Sequence, residues 1–129
     1  MPFVNYLQSA VLNHVFGAST YAKPTVYVAL FTSTPGPTGG GAEVSGAGYA
    51  RVAYGAVATS GGSPTQVSNS ADINFAAAGV AWGTVTHAAL FDAASGGNML
   101  AYGALQIPKT ISAGDAFRFP ATALAVTLN

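Results

Sequence analysis

The clearest alternation of the chain lies in two apolar segments, residues 83–91 and 99–107, which flank a glycine-rich cluster at residues 92–98. Segments of this kind predict two strands joined by a turn. Alternate positions of the second segment fall on two faces that are both largely apolar, which predicts a strand inside a sheet covered on both sides. Asp92 can accept hydrogen bonds from the backbone two residues on and so stabilise the turn. We therefore expect an antiparallel hairpin at the centre of the fold.

The N-terminal residues 1–17 show helical spacing instead. Four apolar residues recur along one side of this segment: Val4, Leu7, Val11 and Val15. Pro2 suits the first turn of a helix and Gly17 suits its end. We expect one helix whose apolar stripe packs against the sheet. His14 lies near the C-terminal end, where the helix dipole favours an imidazolium.

Short apolar segments continue through the rest of the chain, separated by Gly/Pro-rich clusters. The predicted strands cover residues 25–32, 47–59, 67–75, 115–119 and 124–128. The alternation between polar and apolar residues at 67–75 predicts a half-exposed outer strand. Residues 33–46 contain two prolines and three consecutive glycines and are a predicted long surface loop. Residues 60–64 form a predicted turn, and residues 108–114 a predicted connection.

Together these elements predict an all-β fold, an antiparallel β-sandwich of about seven or eight strands with one N-terminal α-helix, jelly-roll-like in order. Residues 1–129 are expected to form a single domain. The tripeptide Ala-Leu-Phe occurs at residues 29–31 and again at 89–91, each time before a glycine-rich loop. Two repeats could form related halves of the sandwich, although these residues are also common in strands.

Charged residues make up only 6% of the chain, against about 25% in an ordinary soluble domain. Four basic and four acidic residues give a net charge of zero, which argues against an electrostatic grip on nucleic acid or on an anionic membrane. Zero net charge also removes the repulsion between copies. We therefore expect much of the surface to be hidden in an oligomer or a larger assembly.

The sequence contains no secretory signal pattern at its start and no run of 18 apolar residues. Both observations predict a protein made in a cytoplasm that does not cross a membrane. The chain has no cysteine, so disulfides and thiolate zinc sites are excluded.

Catalytic patterns are weak throughout. No G-x-S-x-G pentapeptide occurs, and the GPTGGG loop lacks the Lys and Ser/Thr of a phosphate-binding loop. His14 and His87 lie far apart in sequence, and a metal site that joins them to Asp92 or Asp115 would need a convergence that no spacing indicates. His87 fits a hydrogen-bonded core or interface histidine better. We predict no catalytic residues, no cofactor and no metal.

The arginines and aromatic residues leave alternatives open. Arg51 and Arg118 lie in predicted strands, where each could form a partly buried ion pair with an acidic neighbour or a contact between subunits, or could lie on a solvated face. Exposed aromatic residues could form a carbohydrate-binding platform, but the amide and charged side chains that accompany sugar sites are scarce. Core or interface packing explains the aromatic residues better.

Three segments carry a resemblance to a known family. They read TVYVALFTSTPGPTGGGAEVSGAGYARVA, WGTVTHAALFDAASGGNMLAYGAL and ISAGDAFRF. In this order they resemble small bacteriophage virion proteins that are often labelled tail-fibre proteins. The resemblance implies a structural component of a tailed phage particle and implies no catalytic residues. Similar small β-sandwich proteins serve as capsid decoration or cement proteins.

The resemblance and the low charge together predict a capsid cement protein on the outer surface of the virion. We expect its partners to be the major capsid protein and other copies of itself, as a homotrimer at local three-fold positions. The alternative is a tail-fibre or baseplate component that contacts tail proteins and binds a host receptor or glycan. An enzyme is a more distant third. The predicted partner contacts are Val4, Leu7, Val11, Glu43, Tyr49 and Arg51.

Overall fold

The computed structural model describes residues 1–62 and 64–128. Within them lie one helix and nine strands: α1 (Asn5–Phe16), β1 (Tyr27–Phe31), β2 (Val52–Ala53), β3 (Val57–Ser60), β4 (Thr65–Asn69), β5 (Ile73–Asn74), β6 (Gly83–Phe91), β7 (Met99–Ile111), β8 (Arg118–Phe119) and β9 (Ala125–Leu128). All strand pairs are antiparallel. The prediction of an all-β fold with one N-terminal helix is confirmed. The strands form sheets of four, three and two strands, and the jelly-roll-like order stays a prediction.

The four-stranded sheet has the order β2-β1-β6-β7 and forms the centre of the molecule. Its inner strands alternate residues between two covered faces, as the period of a strand requires. Val28 and Leu30 of β1 point to one face and are fully buried. Ala29 and Phe31 point to the other face and are also buried. The sheet therefore has a core on each side.

The larger core lies between this sheet and the two smaller sheets, β3-β4-β9 and β5-β8. Phe75, Phe117 and Phe119 face the central sheet as an edge-to-face cluster, with the rings of Phe117 and Phe119 4.9 Å apart. The smaller core on the opposite face holds Phe31 and Phe91, whose rings stack at 6.1 Å. The predicted coverage of both faces holds for residues 99–101 of β7 and is wrong for residues 102–110, which are half-buried or exposed, with Ile107 72% exposed.

The second arm of the hairpin differs from the prediction in two respects. β7 is an edge strand of the four-stranded sheet, whereas the apolar alternation predicted an interior one. The alternation of side chains concerns the two faces of a strand. It carries no information about whether another strand is hydrogen-bonded along its edge. β7 also continues to Ile111 through Pro108, in the segment predicted as a connection. An edge strand tolerates proline because the missing N–H faces away from the partner strand.

The N-terminal segment also differs from the predicted helix over residues 1–17, because α1 begins only at Asn5. Residues 1–4 are extended along the outer edge of β7, where Phe3 pairs with Ala101 and the Val4 N–H donates to the Leu100 carbonyl at 2.9 Å. This pairing satisfies backbone groups of an otherwise free edge, which outweighs the helical spacing. The prediction that the whole stripe packs against the sheet is wrong for Val15, whose surface is 61% exposed.

Two predicted strands are each divided in the structure. The segment 47–59 contains the separate strands β2 and β3, and the segment 67–75 is divided between β4 and β5 in different sheets. β4 is the middle strand of its sheet, so the prediction of an outer strand is wrong. Its polar Asn69 is fully buried, donates to the Ala71 and Pro120 carbonyls and accepts from the Leu124 N–H. A buried polar residue whose hydrogen bonds are all made within the protein cannot be distinguished, in the sequence, from a polar residue exposed to solvent.

The remaining strands follow the prediction with shorter bounds. β1, β8 and β9 lie within the segments predicted at 25–32, 115–119 and 124–128. The loop at 33–46 is irregular apart from one bridge between Phe31 and Glu43. The two Ala-Leu-Phe segments lie side by side in one sheet, with Ala29 opposite Ala89 at the centre of the β1–β6 register. They are neighbouring strands, and they do not lie in separate halves of a sandwich.

Candidate interaction surfaces

The helix α1 presents an apolar surface that its own domain does not cover. No residue of α1 is buried, and Leu7 and Val11 on the side nearest the sheet are only half-buried. At the C-terminal end Leu12 is 58%, Val15 61% and Phe16 83% exposed. We call Leu12, Val15 and Phe16 the helix-end patch. Spacings of three and four residues place these side chains on one surface of the helix.

The first part of α1 is held to the domain by backbone and aromatic contacts. The Asn5 N–H donates to the Pro37 carbonyl at 2.9 Å, which joins the start of the helix to the 33–46 loop. Tyr6 and Tyr21 make an edge-to-face contact with ring centroids 6.4 Å apart. The Tyr21 N–H donates to Nδ1 of His14 at 3.1 Å. These contacts orient the helix, and none of them involves the helix-end patch.

A second candidate surface is built around a partly buried ion pair. Arg51 donates from Nε and Nη2 to the two carboxylate oxygens of Glu43, each at 2.8 Å. The Tyr49 hydroxyl donates to Oε2 of the same carboxylate at 2.6 Å and accepts from the Leu30 N–H at 3.1 Å. The Arg51 side chain is only 7% exposed. The alternative of a partly buried ion pair for Arg51 is confirmed, and Arg118 pairs with Asp72 on the surface at 3.1 Å.

Arg51 extends this network to the turn of the β6–β7 hairpin. Its Nη1 donates to the carbonyls of Ala93 at 2.9 Å and Gly96 at 2.7 Å. Its guanidinium carbon lies 3.6 Å from the centre of the Phe91 ring, a cation–π distance. One side chain thus joins the 33–46 loop, the segment before β2 and the hairpin turn. We call Glu43, Tyr49 and Arg51 the arginine clamp.

The clamp shifts the proton affinities of its members. Burial raises the pKa of Tyr49 strongly, and the hydrogen bond to Glu43 raises it further. Burial alone would also raise the pKa of Glu43, but the hydrogen bonds from Arg51 and Tyr49 and the Arg51 charge outweigh it, so the pKa of Glu43 lies below its ordinary value. The hydrogen bond to Glu43 raises the pKa of Arg51. At neutral pH the clamp is therefore a carboxylate held by a guanidinium and a neutral phenol.

The structure places the six predicted contact residues in intramolecular roles. Val4 is buried in the smaller core, and Leu7 and Val11 face the domain from α1. Glu43, Tyr49 and Arg51 bind one another in the clamp. As contacts with a partner, these six stay a prediction. The sequence reasoning missed the exposed Leu12 and Phe16, although their spacing of four residues on the side away from the Val4–Val11 stripe marked a second apolar face.

The candidates for chemistry lie apart in the fold and serve local structure. Oδ1 of Asp92 accepts from the Asn98 N–H at 2.7 Å and closes the hairpin turn, six residues on and not the two expected. Oδ2 of Asp115 accepts from the Ser112 N–H at 2.9 Å. His87 is half-buried in β6, with Nδ1 2.8 Å from the Thr86 hydroxyl. Among the described residues, no group of three or more His, Asp or Glu side chains is placed to hold a metal.

A groove of about 740 Å³ is lined by residues of β7, by residues 122–125 and by Met1 and Pro2. Its lining carries Lys109, the Met1 amino group and Arg118, which is paired with Asp72. The groove therefore combines apolar surface with cationic groups.

Comparison with known families decides the family of the chain. Residues 2–127 match the family described as "Podophage GP4 fiber I protein gp80". The chain belongs to this gp80 family. The match covers α1, β1 to β8 and the first three residues of β9, so it includes the helix-end patch and the arginine clamp together. The expected resemblance to phage proteins labelled as tail fibres is confirmed, and the chain is a phage structural protein.

No curated protein matches the chain. Among the described residues, no helix is long and apolar enough to cross a membrane. Membership of the gp80 family places the chain in the phage virion.

Proposed function

We propose that this gp80-family protein is a subunit of a phage fibre, assembled through contacts with other copies and with neighbouring tail proteins. The observation that carries the proposal is the match of residues 2–127 to a family described as a fibre protein. The surface supports an assembly role, because a patch of large apolar side chains on a protein with few charges favours burial against another protein.

The contribution to the fibre is mechanical. A subunit that transmits force needs loops that keep their shape under load, and the arginine clamp ties the 33–46 loop to the hairpin turn through five hydrogen bonds from one guanidinium and one phenol. Repeated contacts between subunits then add their affinities through multivalency. A homotrimer is the assembly we propose, and binding of a host receptor or glycan by the exposed loops stays a further prediction.

The second candidate function is capsid cement, in which trimers on the outer surface of the head bridge subunits of the major capsid protein. One observation favours it: the 129 residues contain nine short strands in the described part and no fibrous repeat of the kind a shaft requires. The same apolar contacts would serve either position. The two functions differ in where the protein lies and in how many copies each particle carries.

Immunogold electron microscopy of purified particles, combined with quantitative mass spectrometry of copies per particle, separates the candidates. Gold on the tail with few copies supports the fibre function. Gold over the head with copies comparable to those of the major capsid protein supports cement and overturns the fibre function. Absence of the protein from purified particles would overturn both.

A further inference from the structure

The helix-end patch combines size, exposure and a lack of charge. Its three side chains lie in the last turn and a half of α1 at relative spacings of three and four residues, and each is more than half exposed. Other large exposed apolar residues, such as Val57, Val80 and Ile107, come from separate elements. Three such side chains together on one helix surface form a contiguous patch, and patches of this kind often mark a contact surface.

The contacts that anchor α1 to the domain come from residues outside this patch. The start of the helix is fixed by the Asn5 bond to Pro37 and by Val4, which is 2% exposed. Leu7 packs against the larger core, and Val11 is half-buried. The apolar surface of α1 is therefore wider than the side that its own domain uses. A helix with a second apolar side is typical of one that packs on a further partner.

The charge pattern of α1 indicates what that partner is. Residues 5–16 contain no Asp, Glu, Lys or Arg, and His14 is the one titratable group of the basic type. In a contact between identical surfaces each residue lies near its own equivalent around the symmetry axis, so any charge at the axis would repel itself. The chain as a whole carries zero net charge, so copies approach one another without net electrostatic repulsion. An uncharged apolar patch meets the requirement of a symmetric contact.

We infer that the helix-end patch is a self-association surface, occupied by the same patch of the other copies of this chain around the three-fold axis of the proposed homotrimer. This inference specifies the self-association that the proposed function includes, but it concerns the purified protein and holds whether the particle carries it on the tail or on the head. Leu12 and Phe16 form the centre of the contact, and Val15 extends it toward the axis of the neighbouring helix.

Cysteine cross-linking tests the contact directly, because the chain contains no cysteine of its own. Single substitutions Leu12→Cys and Phe16→Cys place a thiol in the patch, and Val57→Cys and Ile107→Cys place one at apolar positions that are 48% and 72% exposed elsewhere. Under mild oxidation we expect disulfide-linked dimers to form about tenfold faster or more for the patch variants, since association raises the effective thiol concentration. Equal rates at all four positions would overturn the inference.

Analytical ultracentrifugation supplies a readout that does not depend on disulfide geometry. The wild-type chain should associate at concentrations below about 1 mM, and Leu12→Gln with Phe16→Gln should shift it to the monomer. Val57→Gln, at an exposed strand position, is the matched control and should leave association unchanged. Circular dichroism confirms that each variant is folded. A monomeric wild-type chain, or a double variant that associates as strongly as the wild type, would overturn the inference.

Discussion

Arg51 is the residue on which the arrangement of the loops most depends. Its guanidinium makes four hydrogen bonds and stacks on Phe91 while almost entirely buried. The sequence indicated that Arg51 could pair with an acidic neighbour, and it could not identify the two carbonyls of the hairpin turn. Those carbonyls become partners only when β1, the segment before β2 and the turn meet in space, a tertiary event that no local spacing records.

The first prediction concerns the loss of this guanidinium. Arg51→Met should lower the free energy of unfolding by about 2–4 kcal/mol, because the Glu43 carboxylate loses its charged partner in a mostly buried site. Arg51→Lys keeps the charge but cannot reproduce the forked geometry, so it should recover only part of the loss. Urea denaturation measures both variants.

The control is Arg118→Met, which removes an ion pair with Asp72 whose side chains are 58% and 44% exposed. An exposed pair contributes about 1 kcal/mol or less, so this variant should stay close to the wild type. If the two arginine variants proved equally stable, the clamp would have no special role in holding the loops.

The second prediction is a pH dependence that belongs to Glu43. The pKa of Glu43 is lower in the folded chain than its ordinary value of 4.5, so the stability it contributes is present above that value and is lost as pH falls through the lower folded pKa. The difference in unfolding free energy between the wild type and Glu43→Gln should be greatest near neutral pH and shrink at acidic pH. In an Arg51→Met background burial without the guanidinium should raise the pKa of Glu43, so the loss of stability at acidic pH should disappear, and an unchanged profile there would assign the effect to another group.

At the scale of elements, the β6–β7 hairpin was the most predictable part of the chain. Its two strands and its turn follow from alternation and glycine content, and Gly96 and Gly97 adopt φ of 62° and 72° as the turn requires. The two glycines differ in their surroundings. A Cβ on Gly97 would lie 2.5 Å from Oδ1 of Asp92, whereas a Cβ on Gly96 would meet no atom within 4 Å.

The third prediction follows from this difference between adjacent residues. Gly96→Ala should cost about 1–2 kcal/mol, the penalty for a left-handed backbone in a residue with a Cβ. Gly97→Ala should cost clearly more, because it adds a clash with the carboxylate that accepts the Asn98 N–H. Thermal unfolding of the two variants measures the order. A Gly96 variant that is the less stable of the two would show that the turn is arranged differently.

The elements that could not be predicted are those whose environment depends on distant parts of the chain. Helical spacing favoured a helix from residue 1, but backbone pairing of Phe3 with Ala101 makes the first four residues extended. The alternation of polar and apolar residues at 67–75 predicted an outer strand, but Asn69 is buried and forms hydrogen bonds with Pro120 and Leu124. In both segments the deciding partner lies more than 50 residues away, beyond the reach of any local periodicity.

At the scale of the whole molecule, the distribution of burial sets which parts open first. Leu30 and Ala89 lie on the inner strands β1 and β6 with no exposed surface, whereas α1 contains no buried residue. Local opening exposes the least buried elements at the lowest free energy. The central sheet should therefore behave as the stable core, with α1 and the short strand β3 at the least stable end.

The last prediction concerns hydrogen exchange, which should differ between the buried strands and the exposed helix and should respond to association in the helix alone. In native-state hydrogen exchange, the amides of β1 and β6 should exchange most slowly at every protein concentration, because they open only with the whole domain. The amides of α1 should exchange quickly in dilute protein and become protected as the concentration rises, since association through the helix-end patch stabilises the helix by mass action. The Leu12→Gln and Phe16→Gln double variant should lose that concentration dependence while β1 and β6 keep their protection. Protection of α1 that is strong in dilute wild-type protein and independent of concentration would mean that the domain itself stabilises the helix, and the exposed patch would then have no part in assembly.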